Sequence, residues 1–184
     1  MLKHCKSIFM HCMCLLVAGS SFTGFSTASF ASTSFADEKI LPFQSDSLTA
    51  IEEQYAEREF LLLMWRSDCI PCRKEFSLIA NLQPNLNLPV VVIATDDIAE
   101  ADLLLDLLRD SALDFESAWA FAESNEMRLR YKIDPTWQGE LPRSYLYAKD
   151  GTRLTHSGML KAHHLQPWLS SNSAKTNKPE DKTD

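Results

Sequence analysis

Two cysteines with two residues between them, Cys69 and Cys72, are the side chains of this 184-residue sequence best placed to do chemistry. Such a pair can cycle between dithiol and disulfide, clip a soft metal, or form an inert bridge. Five cysteines occur in all, but Cys5, Cys12 and Cys14 lie in an amino-terminal segment read below as a removable leader. Without them, Cys69 and Cys72 have no structural partner except each other. A disulfide across so short a loop takes little entropy from the unfolded chain, so redox exchange is the stronger reason to keep it. Glu75 stands three residues beyond Cys72. On a helix it would share the face of Cys72, where a carboxylate can raise thiol pKa values and shuttle a proton. The alternative is a solvated first-turn acid favoured by the helix dipole. His163 and His164 are adjacent, and neighbouring helical residues point about a hundred degrees apart, so a shared metal is not expected.

The flanking elements must hold the pair in place. Phe60 to Met64 is an unbroken apolar run, the mark of a strand covered on both faces, and Trp65 closes it. Phe76, Ile79 and Ala80 then recur at helical spacing, which predicts a helix from about Cys69 to Leu82, ending before Pro84. A strand delivering the cysteines to a helix start exposes them to unpaired N–H groups and the positive dipole end, which favour thiolate. Pro71 fits a first turn, where its missing N–H costs nothing. Pro89 to Ala94 reads as a second buried strand, Thr95-Asp96-Asp97 as a turn, and residues 98–109 as a helix with Ile98, Ala101, Leu105 and Leu108 inward, broadened by Leu103, Leu104 and Leu107. Ile40 to Phe43 reads as an edge element, and Leu48, Ile51 and Tyr55 as one face of a short helix capped by Ser47. Residues 124–131 predict a helix with Met127 and Tyr131 inward. A Pro- and Gly-punctuated loop over residues 134–142 leads to a hairpin, residues 144–147 and 153–156, around Asp150-Gly151. A last helix is expected over 161–169, with Leu160, His164 and Trp168 in one row.

The segment Trp65-Arg66-Ser67-Asp68-Cys69-Ile70-Pro71-Cys72-Arg73-Lys74-Glu75-Phe76 resembles the active-site stretch of thioredoxin-like proteins, especially the exported TlpA/ResA-type thiol-disulfide oxidoreductases. The resemblance extends from about Lys39 to Leu169. It implies an α/β thioredoxin-like fold, a central mixed β-sheet flanked by helices on both faces, with a further strand over residues 113–119. It also implies that Cys69 is the exposed nucleophile and Cys72 the shielded resolving thiol. A Glu is common at the position of Glu75. Pro142 falls where such proteins place a cis-proline facing the cysteines, which would expose the backbone of Leu141 to a substrate peptide. Trp65 is expected at the rim of the site and Trp137 on a partner-binding surface, with core packing the alternative for each. Arg66 and Arg143 are candidates for favouring thiolate. The acid that thioredoxins proper bury beneath the pair would fall at Leu63; its loss favours the TlpA-like branch and adds weight to Glu75.

Lys3 and Lys6, the apolar Ile8 to Ala18 and an uncharged small-residue stretch lay out a secretory signal peptide over residues 1–36. Ser34-Phe35-Ala36 is the expected cleavage site, with Ala28 and Ala31 as alternatives; an uncleaved anchor is the lesser reading. Residues 37–170 form the thioredoxin-like domain and 171–184 a disordered polar tail. Losing the two lysines would take the formal charge from −7 to −9, against nucleic acid or an anionic membrane as partner. A peroxidase is excluded by the want of a Thr-x-x-Cys segment. The expectation is therefore a periplasmic, TlpA-like reductant of protein thiols, with no cofactor beyond its own redox pair. A membrane electron donor of the DsbD type would recharge it. The alternatives are a DsbA-like oxidant, disfavoured by the lack of room for a helical insertion, or a Cu(I) chaperone with Met64 as the nearest third ligand.

Overall fold

The computed structural model describes residues 39–166, apart from residue 87. The leader over 1–36, the tail over 171–184 and Trp168 lie outside the described residues. Six strands form one mixed sheet. They are β1 (Ile40–Phe43), β2 (Phe60–Trp65), β3 (Val90–Asp97), β4 (Ser117–Phe121), β5 (Arg143–Tyr147) and β6 (Arg153–Ser157), in spatial order β1-β4-β3-β2-β5-β6. The first four run parallel, while β5 lies antiparallel to β2 and β6 to β5.

The apolar run of β2 finds the place its composition demands. All six of its residues are buried, because parallel neighbours on helix-covered sheets leave no face to solvent. Its alternate side chains divide between two cores. Leu61, Leu63 and Trp65 join Val90, Val92 and Ala94 beneath α2 (Ile70–Leu86) and α3 (Ala101–Asp110). Phe60, Leu62 and Met64 join Val91 and Ile93 beneath α1 (Ser47–Gln54) and α4 (Glu126–Ile133). Helices thus cover both faces, as expected.

Several local expectations are corrected. Pro84 lies inside α2, which continues to Leu86; so near the carboxyl end, a proline forfeits one backbone bond without breaking much helix. Ser47 is not a cap: it opens α1 from within, and its hydroxyl accepts the Gln44 N–H at 2.8 Å. Residues 95–97 extend β3 rather than turning, and a 3-10 turn over Ile98–Glu100 precedes α3. In α3 the buried residues are Leu104 and Leu108, while Leu103 is 50% exposed. In α4, Leu129 and Ile133 are buried, whereas Met127 and Tyr131 stand 72% and 65% exposed. Both pairs have i, i+4 spacing, so periodicity alone could not choose between them. The strand expected over 113–119 is β4, an interior strand starting at Ser117. The helix expected over 161–169 opens as a 3-10 turn over Ala162–Leu165 with Gln166 helical, and its remaining residues lie outside the described ones.

Candidate functional site

The cysteines sit where β2 ends and α2 begins. Cys69, half-buried, immediately precedes the helix, and Cys72 lies fully buried in its first turn. They form a disulfide with sulfurs 2.01 Å apart. The Cys72 N–H donates to Cys69 Sγ at 3.2 Å, and the Arg73 N–H to the Cys69 carbonyl at 3.3 Å. Cys69 Sγ therefore occupies the place of an N-cap acceptor, accepting an N–H that would otherwise be orphaned. Negative charge on that sulfur is favoured by the same amides and by the dipole behind them.

The loop carrying Cys69 is fastened to the neighbouring strand. Asp96, near the end of β3, accepts the Ser67 N–H at Oδ2 (3.0 Å) and the Ser67 hydroxyl at Oδ1 (2.5 Å). Trp65 is paired with Ala94 in the parallel register of β2 and β3, and Ser67 and Asp96 each stand two residues beyond that pair. Sequence reading took Asp96 for a turn residue. The missed signal was an acid at the carboxyl end of a buried parallel strand, where sites of α/β folds gather.

Glu75 is fully buried, which removes the solvated first-turn reading. Its Oε1 accepts the Leu160 N–H at 2.6 Å. Burial pushes its carboxyl up from 4.5 to about 7, against the Leu160 N–H, which favours the ionised form. The buried Ser144 hydroxyl pulls the same way, yet its Oγ and Glu75 Oε2 close no hydrogen bond of ordinary geometry. Neither Ser144 nor the Leu160 amide was singled out from sequence. A lone Ser in an apolar strand was the available sign of the first; a main-chain donor leaves none.

The Leu141–Pro142 peptide bond is cis. Arg143, the next residue, pairs with Met64 across β2 and β5, so the same register brings Pro142 opposite Trp65, where the cysteine loop departs. The Pro142 carbonyl accepts the Gly158 N–H at 2.8 Å. Leu141 is half-buried and packs against both cores. Both tryptophans take the core-packing alternative. Trp65 is 1% exposed and meets Phe76 edge-on at 5.2 Å; as the last residue of a doubly covered strand it has no surface for a rim. Trp137, 5% exposed, packs in the core on the opposite sheet face from Cys72, its Nε1–H donating to the Glu140 carbonyl at 2.8 Å.

Both candidate arginines are paired with acids. Arg143 is buried and donates to Asp134 at 2.6 Å and Glu140 at 3.0 Å. Burial opposes ionisation of Asp134, but hydrogen bonds from Thr136 and Arg143 and the guanidinium charge outweigh it and bring the carboxyl to about 2. Exposed Arg66 lies 3.4 Å from Asp68. Met64 packs in the core away from Cys72 and offers the sulfurs no third metal ligand. On the 3-10 turn over Ala162–Leu165 the ring centroids of His163 and His164 nonetheless lie 4.1 Å apart, and those of His156 and His164 4.2 Å apart.

No family model matches the chain, and no curated protein sequence matches it. Solved structures do. A secreted thiol-disulfide isomerase from Corynebacterium glutamicum superposes with a TM-score of 0.51 at 16% identity, over 64% of this chain and 71% of that one. A secreted Mycobacterium tuberculosis disulfide oxidoreductase homologous to E. coli DsbE gives 0.49 at 17% identity, over 65% and 85%. A thioredoxin-related protein from Neisseria meningitidis serogroup B gives 0.47 at 22%, over 63% and 85%. Identity this low speaks to the fold alone. The mixed sheet covered by helices on both faces, with a Cys-x-x-Cys pair at the start of α2, is a thioredoxin-like fold.

Proposed function

We propose that the chain is a thiol-disulfide oxidoreductase, exported to the periplasm and acting as a TlpA-like reductant of protein disulfides. The observation that supports this is the asymmetry of the pair: half-buried Cys69 at the amino end of α2, with buried Cys72 one turn from buried Glu75. The Cys69 thiolate attacks a partner's disulfide, forming a mixed disulfide and expelling one partner sulfur as thiolate. The Cys72 thiol passes its proton to the Glu75 carboxylate. The resulting thiolate attacks Cys69 Sγ, closes the Cys69–Cys72 bond and releases the second partner sulfur. Two electrons have then moved to the partner, and a membrane donor of the DsbD type restores the dithiol. A carboxyl titrating at about 7 is suited to this, since both its forms are populated near neutral pH. Pro142 and Leu141 present main chain to the partner beside the sulfurs, and no cofactor is required.

The test is insulin reduction by the leader-free protein, followed by equilibration of the pair with glutathione. A potential near the thioredoxin value of about −270 mV supports the reductant, and one near about −120 mV an oxidant. Cys72→Ser should accumulate a mixed disulfide through Cys69. Accumulation only in Cys69→Ser would reverse the two roles, and no exchange with either intact sulfur would dismiss the activity.

A further inference from the structure

Glu75 has one oxygen bound and one bare, and the nature of the bound partner decides where its proton goes. Leu160 N–H can only donate, and it occupies Oε1 at 2.6 Å. The proton of the neutral acid therefore belongs on Oε2. That atom is buried and without a partner, and so is Ser144 Oγ. Both residues are fully buried.

The pleat brings them to one side of the sheet. Along β5, Tyr145 and Tyr147 point into the core beneath α1 and α4, whereas Leu146 packs in the core of Cys72 and Phe76. Ser144, two residues from Leu146, faces that same core. Its neighbour across β2 is Leu63, which brings no polar atom, and across β6 it is His156, a titratable ring whose Nε2 lies 3.3 Å from the Met159 carbonyl. No charged side chain among the described residues acts on Glu75, and the titratable group beside it on α2 is Cys72. A hydroxyl differs from an amide in being a rotor: it can donate to a carboxylate and, turned, accept from a carboxylic acid.

We propose that Ser144 is the positioning partner of Glu75, its hydroxyl donating to Oε2 when the acid is ionised and accepting from Oε2 when it is protonated. Ser144 exchanges no proton with its surroundings; the proton gained by Glu75 remains on Glu75. The serine keeps both protonation states of the buried acid hydrogen-bonded, which lets Glu75 cycle without opening the core to water. The inference rests on reading Glu75 as the proton acceptor of Cys72.

The test compares Ser144→Thr with Ser144→Val in the whole chain, two side chains of one shape that differ by the hydroxyl. The Glu75 carboxyl is followed by its infrared C=O stretch in D2O, identified by its disappearance in Glu75→Gln. Val is expected to titrate about one pH unit above Thr, since it loses a donor to the ionised form. Thr should stay near wild type, and the pH profile of dithiol exchange should move with the carboxyl. Coincident titrations of Thr and Val would overturn the proposal, as would a matching shift in Trp65→Phe, whose buried Nε1 is, among the described residues, the other unpartnered side-chain donor of that core. A carboxyl shift in a protein that reduces no disulfide would sink the oxidoreductase reading and leave the Ser144–Glu75 contact standing.

Discussion

Leu160 donates its main-chain N–H to Glu75 Oε1 across 85 positions of sequence, inside the core that holds Cys72. The bond ties the segment after β6 to the first turns of α2. It also holds that carboxyl fully inside the core, and the protein's stability should register the burial.

Burial raises the Glu75 carboxyl from 4.5 to about 7, so folding favours the neutral acid. Its contribution is fully present below about pH 4.5 and is lost as pH rises through about 7. Over that interval the oxidised wild type should lose on the order of 3 kcal/mol relative to Glu75→Gln. Denaturant unfolding at a series of pH values measures this, and parallel curves for the two proteins would contradict it.

Asp96 secures the cysteine loop through both hydrogen bonds to Ser67. Asp96→Ala should cost about 2 kcal/mol of stability, the scale of hydrogen bonds to a charged group. It should also slow dithiol exchange more than the stability loss alone explains, because Cys69 is no longer held against α2. Asp96→Asn, which keeps one acceptor, should fall between. An unchanged exchange rate in Asp96→Ala, at intact folding, would remove Asp96 from the site.

Arg143 and Asp134 are each below 10% exposed in their side chains. Removing the cation alone strands a buried carboxylate, so Arg143→Met should cost about 3–5 kcal/mol. Adding Asp134→Asn should recover much of it. The pairing also gives wild type stability that is present above about pH 3.8 and lost as pH falls through about 2. Thermal melts in that acid range should be flatter for the double variant.

Packing of α3 is tested by two neighbouring leucines. Leu104→Ala opens a cavity in the core and should cost about 2–5 kcal/mol. Leu103→Ala, at a half-exposed position, should stay within about 0.5 kcal/mol. Equal costs would mean that the helix is rotated from the orientation described.

The redox pair, the strand before it and the helix after it were legible in the chain because each is a local pattern: an apolar run, a two-residue spacing, a helical period. The division of helices between the two sheet faces followed from the resemblance. Helix rotation did not, since α3 carries leucines around most of its circumference and α4 offers two equally spaced apolar pairs. Only contact with the sheet selects Leu104 and Leu108, or Leu129 and Ile133.

Sequence alone determined that two sulfurs would stand at a helix start behind a buried strand, because covalent neighbours and local periodicity suffice to place them. Tertiary structure decided what surrounds them. It buried Trp65 and Trp137, turned Arg143 towards Asp134 and Glu140, set Asp96 on Ser67, and brought Leu160 and Ser144 to the Glu75 carboxyl. Those partners are tens of residues apart in most cases and meet through strand register and main-chain donors, neither of which is written in residue type.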